Sequence, residues 1–282
     1  MNVGRTLRAM IEGTYGVDDS FFEFIDNSEA ANASNVCIHV LKGADSPVSR
    51  IVISDDGDSL KSKEFMDAVL EFGGEIRQRT DSEISEFGVG MKAAAFALAD
   101  LFTLISRNCN GDIFGAHLSL ERISKESNDN YEDPWCTNPS KDYESLWNEF
   151  AIDKDTTGTI VVLDDVTQKT YKNCATFLKG IRNPNVLGRR YRALIDSGRV
   201  ALWTKNGERG KKTAVESFDP LYRTDASKAT VLFDDSFVYK PKASTSPVRF
   251  NFCMTQLDPS EQGPSNFGII IKVAGIVVYR DK

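Results

Sequence analysis

Glu23, Asp26 and Asn27 stand three and four positions apart in the stretch FFEFIDNSEAANAS, residues 21–34. In a helix, positions i, i+3 and i+4 share one face. An asparagine there offers a neutral oxygen to a hard cation such as Mg²⁺, which keeps several waters and leans on substrate phosphates. A glutamate one turn earlier can polarise a water in line with a phosphorus atom. Taken alone, the same residues also describe the solvated side of a surface helix, so other stretches must decide.

Three do. Residues 51–60, IVISDDGDSL, are a β-branched run that delivers Asp55 and Gly57 at its end, where an α/β sheet presents side chains to a ligand. Asp-Asp-Gly is also ordinary turn chemistry. Residues 87–95, FGVGMKAAA, open a helix with Gly88 and Gly90 and carry Lys92 in its first turns. Backbone amides at a helix N-terminus, with a lysine beside them, suit a polyphosphate. Residues 156–164, TTGTIVVLD, lead Gly158 and Thr159 into a strand.

In this order the four stretches resemble the GHKL ATPases: gyrase ATPase subunits, MutL, heat-shock chaperones, histidine kinases and MORC proteins. Glu23, Asp26 and Asn27 match the ExxDN box. Asp55 and Gly57 match DxGxG, with Ser59 in place of the second glycine. Gly88 and Gly90 match GxxGxG, with Ser85 in place of the first. Gly158 and Thr159 match the final Gly-Thr. The phrasing FGVGMK is most similar to MORC-like and chaperone members.

The resemblance implies an α+β fold of Bergerat type: an α/β sandwich with a mixed sheet and helices on one face, followed by a partial transducer-like domain. It implies ATP and Mg²⁺ as ligands. Glu23 would be the general base, and Asn27 would bind both nucleotide and metal. Asp55 would receive the adenine amino group, a contact guanine's carbonyl cannot make. Gly57 would let the base approach the backbone, and Thr159 would support Asp55. Gly88, Gly90 and the neighbouring amides of Val89 and Met91 would hold phosphate together with Lys92. Ser85 does not enter positive φ cheaply, but its hydroxyl can replace a backbone contact. An ATP-dependent homodimer is implied, and DNA is left open as a partner. A non-catalytic nucleotide sensor and a chaperone-like ATPase are the alternatives. A histidine kinase fits poorly, since no histidine precedes the ExxDN box.

The elements that must position these residues can be read by periodicity. A helix is expected over 21–34, capped by Asp19 or Ser20. Strands are expected over 35–41, 50–54, 101–107, 113–120 and 159–163, and helices over 62–72, 88–100 and 142–150. The polar stretch 73–86, with Arg77 and Arg79, reads as an ATP lid, and the lid region with its glycines spans 73–92. Residues 121–141 form a polar insertion, either an excursion at the sheet edge or a partner-binding loop. The nucleotide-binding domain is expected over 1–167 and the transducer-like one over 168–282. In the latter, helices are expected over 171–187 and 187–197 and strands over 199–204, 230–239, 248–255 and 267–278. The basic cluster GRRYR, residues 188–192, reads as a solvated helix face, or else as a phosphate or nucleic-acid contact. Lys205 and Lys272 are candidates for a transducer lysine.

The bulk properties set the frame. With 282 residues, 41% hydrophobic and 17 Phe, the chain can build a sizeable core. A net charge of −7 argues against a surface that is basic throughout. Five scattered Cys without a CxxC pair, and two His, speak against zinc and for free thiols. No secretory leader or long apolar run is evident, so the reading is a cytoplasmic or nuclear protein, neither secreted nor in a membrane.

Overall fold

A computed structural model describes residues 16–42, 47–63, 66, 90–120, 142–166, 173–223, 225–240, 248–261, 269–273 and 276–281. The first helix, α1, is Val17–Ala30. Gly16 stands at its N-cap, so the helix starts earlier than the expected caps. Asp19 instead reaches back from the first turn, accepting from the Gly16 amide at 3.1 Å, and Ser20 donates to the Gly16 carbonyl. Two acidic residues, Asp18 and Asp19, favour this start at the positive end of the helix dipole. The helix ends before residue 34 because Asn32 takes a left-handed conformation, φ 58°, which asparagine tolerates better than most residues.

The remaining elements follow in order. They are β1 (Asn35–Lys42), β2 (Val48–Asp55), α2 (Gly90–Leu98), β3 (Ala99–Arg107), β4 (Ile113–Ser119), α3 (Tyr143–Phe150) and β5 (Gly158–Val166). Then come α4 (Cys174–Ile181), α5 (Leu187–Arg190), α6 (Arg192–Asp196), β6 (Ala201–Asn206) and β7 (Thr213–Ala214). Four further strands, paired two by two, close the series: β8 (Ala229–Tyr239), β9 (Val248–Leu257), β10 (Ile269–Val273) and β11 (Ile276–Asp281). The single strand expected over 267–278 is thus two, paired antiparallel. The two helices expected over 171–197 are three, broken at Asn183-Pro184 and again at Tyr191.

Among the described residues, one mixed sheet takes the order β4-β3-β5-β2-β1-β6-β7. Neighbours are antiparallel except β1 and β6, which are parallel. β6 and β7 therefore continue this sheet beyond residue 167. Alternation sorts the strand residues between faces. Val36, Ile38, Ile51, Ile53, Leu104 and Val161 pack beneath α1, α2 and α4, and Phe21 of α1 meets Phe177 of α4 edge to face at 5.9 Å. Val52, Ile105, Ile160 and Val162 face the other way, under Trp147 and Phe150 of α3. The helices are thus concentrated on one face, with α3 covering part of the other. Two-stranded sheets β8-β9 and β10-β11 follow. Among the described residues no helix is long and apolar enough to cross a membrane.

Of the expected helix over 62–72, Lys63 and Met66 are described and helical. The expected lid with Arg77 and Arg79, Ser85, Gly88, Val89 and the insertion over 121–141 lie outside the described residues.

Candidate functional site

Asp55 ends β2 with the parity of Ile51 and Ile53, so its side chain points to the α1 face. Register places it opposite Thr159 of β5, which in turn lies opposite Ser106 of β3. The carboxylate is buried, 8% exposed. Its Oδ1 accepts from the Gly57 amide at 3.0 Å and its Oδ2 from the Ser28 hydroxyl at 3.0 Å. The Thr159 amide also donates to it. A carboxylate has about four acceptor positions, so three internal donors leave room for one from a ligand. Burial pushes the Asp55 carboxyl up to about 6, against the pull of those three donors.

Glycines allow the turn around Asp55 to close. A Cβ on Gly57 would lie 2.6 Å from the Ala31 carbonyl oxygen at the end of α1, and one on Gly158 would run into the Asp55 carbonyl. Asp58 donates its amide to Ala31 at 2.6 Å. The Thr157 hydroxyl donates to the Gly57 carbonyl at 3.1 Å. Ser106 donates to the Gly158 carbonyl at 3.0 Å and accepts from the Leu60 amide at 3.1 Å. Asp56 accepts from the amides of Ser34 and Asn35. These bonds tie β2, β5 and the end of α1 together.

α1 carries the rest. Glu23 lies against the start of α2: a Cβ on Gly90 would collide with its carboxylate, whose Cδ would be 3.1 Å away. One turn on, the half-buried Asn27 side chain has no hydrogen-bond partner among the described residues. The next residue, Ser28, is the donor to Asp55. One helix therefore joins the carboxylate at the strand ends to the glycine that opens α2. Lys92 lies in α2 and is fully buried, and Met91 packs partly against the core.

Asp26 does not share the open side of α1. It pairs with Arg190 at 2.8 Å and accepts from the Tyr191 hydroxyl at 2.6 Å. This corrects the reading of GRRYR as a solvated face. Arg189, Tyr191 and Arg192 are buried, and Arg192 pairs with Asp219 of the DPLYR stretch. His39 and His117 are packed strand residues. His39 meets Phe150 edge to face and is held down to about 4 by burial, and His117 bonds Thr103. The residues missed from sequence are Ser28, Ser106 and Thr157. The one available signal was a small hydroxyl interrupting the apolar row Phe21, Phe24, Ile25 directly after Asn27.

A magnesium ion fits what is present. The Asn27 amide, without a hydrogen-bond partner among the described residues, is a suitable neutral ligand. No group of three or more His, Cys, Asp and Glu poised for a metal occurs among the described residues, so such an ion would lean on phosphates.

Residues 15–165 match the family model described as "Histidine kinase-, DNA gyrase B-, and HSP90-like ATPase". Among solved structures, the chain is similar to the 43K ATPase domain of Thermus thermophilus gyrase B in complex with an aminocoumarin. The sequence identity is 13% and the TM-score 0.44, and the similarity covers 84% of this chain and 56% of that one. No curated protein matches the chain.

Proposed function

We propose, from the premise that this chain belongs to the histidine kinase-, DNA gyrase B- and HSP90-like ATPase family, that it hydrolyses ATP between α1 and the ends of β2 and β5. The observation that carries the reading is the span of α1, with Ser28 on Asp55 at one end, Glu23 against Gly90 at the other, and Asn27 between. Asp55 has one acceptor position left for an adenine amino group. Thr159 and Gly57 hold that carboxylate in place. Gly88, Val89, Gly90, Met91, Lys92 and Ser85 would meet the phosphates, and Asn27 would hold Mg²⁺.

The metal, when bound, supplies charge neutralisation on the phosphate oxygens. Glu23 accepts a proton from water as that water's oxygen bonds the terminal phosphorus, and the bridging oxygen leaves with ADP. Nucleotide ordering of the lid over 73–92 would then close two subunits, in a MORC-like cycle with a transducer-like unit over 168–282 and with DNA as a partner. ATP drives that closure only as far as it binds the closed state more tightly.

The test is calorimetric binding of non-hydrolysable ATP and GTP analogues with Mg²⁺, alongside turnover of the parent chain and of Glu23→Ala. Adenine selectivity is expected. In Glu23→Ala binding is retained while turnover drops roughly 10²–10⁴-fold. Equal turnover in the variant would remove Glu23 as the base. The replacements Ser59 and Ser85 favour a second reading, a nucleotide sensor without turnover. It would be supported by analogue binding with no hydrolysis at protein concentrations where dimers form.

A further inference from the structure

Three consecutive residues at the α5–α6 junction divide their bonds between two parts of the molecule. Arg190 and Tyr191 reach α1, while Arg192 turns to Asp219, which also binds Arg223 at 3.1 Å. Tyr191 belongs to neither helix, and its ring is fully buried, edge-on to Phe22 at 6.2 Å. Its hydroxyl lies 2.6 Å from Asp26 Oδ1 and 3.1 Å from the Phe22 carbonyl oxygen. Arg190 bonds Asp26 Oδ2 at 2.8 Å and lays its guanidinium 4.3 Å from the centroid of the Phe22 ring. Both oxygens of one carboxylate are thus held from one point, and the single Tyr191 proton leans more weakly toward the carbonyl one turn before it.

Asp26 sits three residues after Glu23 and directly before Asn27. A helix transmits rotation along its length, so a clamp on Phe22 and Asp26 fixes the directions in which Glu23 and Asn27 project. Simple attachment of α1 would not need charge, because apolar packing holds a buried contact at least as well as an ion pair. What charged, two-point hydrogen bonding adds is angular definition. We infer that Arg190 and Tyr191 are positioning residues for the ATP reaction: through Asp26 and the Phe22 carbonyl they set the rotation of α1 that aims Glu23 and Asn27. The inference rests on the proposed ATP chemistry and deepens it. Burial, with the Asp26 charge beside it, raises the Tyr191 hydroxyl well above its usual range, so it remains a donor.

The test uses the full chain. Tyr191→Phe keeps the ring in the core and removes only the hydroxyl. Arg190→Ala removes the fork, and Arg190→Lys restores the charge without it. Four quantities are measured: analogue affinity with Mg²⁺, kcat, KM, and amide hydrogen exchange of residues 17–30 without nucleotide. For Tyr191→Phe, kcat is expected to fall roughly 10- to 100-fold, the scale of a small misplacement of reacting groups. Analogue affinity with Mg²⁺ should fall several-fold less than kcat, because Asn27 contacts nucleotide and metal in the ground state while Glu23 acts only in the chemical step. Exchange at residues 23–27 should rise, and Arg190→Lys should recover part of what Arg190→Ala loses. The inference is overturned if Tyr191→Phe keeps the parental kcat, or if kcat falls only in step with affinity. A parent chain that fails to bind or hydrolyse ATP overturns the ATPase reading itself and this inference with it. The two failures are told apart because in the second the parent fails, not the variant.

Discussion

Around Asp55 the molecule buries polar groups, and along β8 and β9 it exposes apolar ones. Asp55, Ser28 and Ser106 are nearly inaccessible, yet each has at least two hydrogen-bond partners. Leu232, Phe233, Phe237, Phe252 and Met254 are between 45% and 59% exposed, on a sheet that is two-stranded among the described residues. Two-stranded sheets are marginal in water by themselves, whereas a wide sheet under helices is a stable unit. The difference teaches where free energy resides. Substitutions beneath α1 should act on both stability and chemistry, and substitutions on the hairpin should act on neither.

The strongest way to break that contrast is Phe24→Ala. Phe24 is 2% exposed and central to the face that α1 lays on the sheet. Losing a buried aromatic ring costs about 3–5 kcal/mol through lost transfer energy and the cavity left behind. Urea denaturation should show that loss, with the slope of the transition unchanged. A cost below about 1 kcal/mol would mean that α1 is not seated on the sheet as described.

Asp55 sharpens the contrast because its burial has a pH signature. In the folded chain its carboxyl holds a proton up to about 6, and in the unfolded chain only to about 4. Between those values the folded state binds more protons, so its stability falls as pH rises through the window and levels off above about 6. A gap of about two units corresponds to about 3 kcal/mol. Nucleotide affinity should run the opposite way, rising through the same window as the carboxylate that accepts an adenine amino group forms. Asp55→Asn should flatten both profiles. Denaturation and analogue binding measured from pH 4 to 7 check the two slopes together.

The same buried region shows what a sequence can and cannot display. Strands β1, β2 and β5 were legible because apolar β-branched runs mark them, and Asp55 and Thr159 followed from the order of short motifs. The Asp26–Arg190 pair was not legible, since its members lie 164 residues apart and nothing local distinguishes a paired arginine from a solvated one. Tyr191 broke the helix expected over 187–197 for a tertiary reason, as its ring is drawn into the core and its hydroxyl to α1. Ser28 was hidden because a small hydroxyl in an apolar row reads as a packing gap until its partner on β2 is known.

A smaller effect is expected at Gly90. An added methyl must displace the Glu23 carboxylate, while alanine itself suits a helix better than glycine by about 1 kcal/mol. Gly90→Ala should therefore keep or raise thermal stability and slow ATP turnover by roughly tenfold, a barrier change of about 1.4 kcal/mol. Steady-state kinetics alongside a melting curve separate these opposite outcomes. A variant that loses stability without losing turnover would show that Glu23 can move aside at no chemical cost.

The least effect is expected on the hairpin. Phe237 is 59% exposed, so Phe237→Ser removes little buried area and leaves no cavity. Surface substitutions of this kind change stability by about 0.5 kcal/mol or less. Melting temperature and analogue affinity should both match the parent, while aggregation on concentration should fall because an exposed apolar patch is broken. A loss of about 2 kcal/mol instead would mean that Phe237 is buried in solution. The hairpin would then belong with the region around Asp55, and the contrast between the two would vanish.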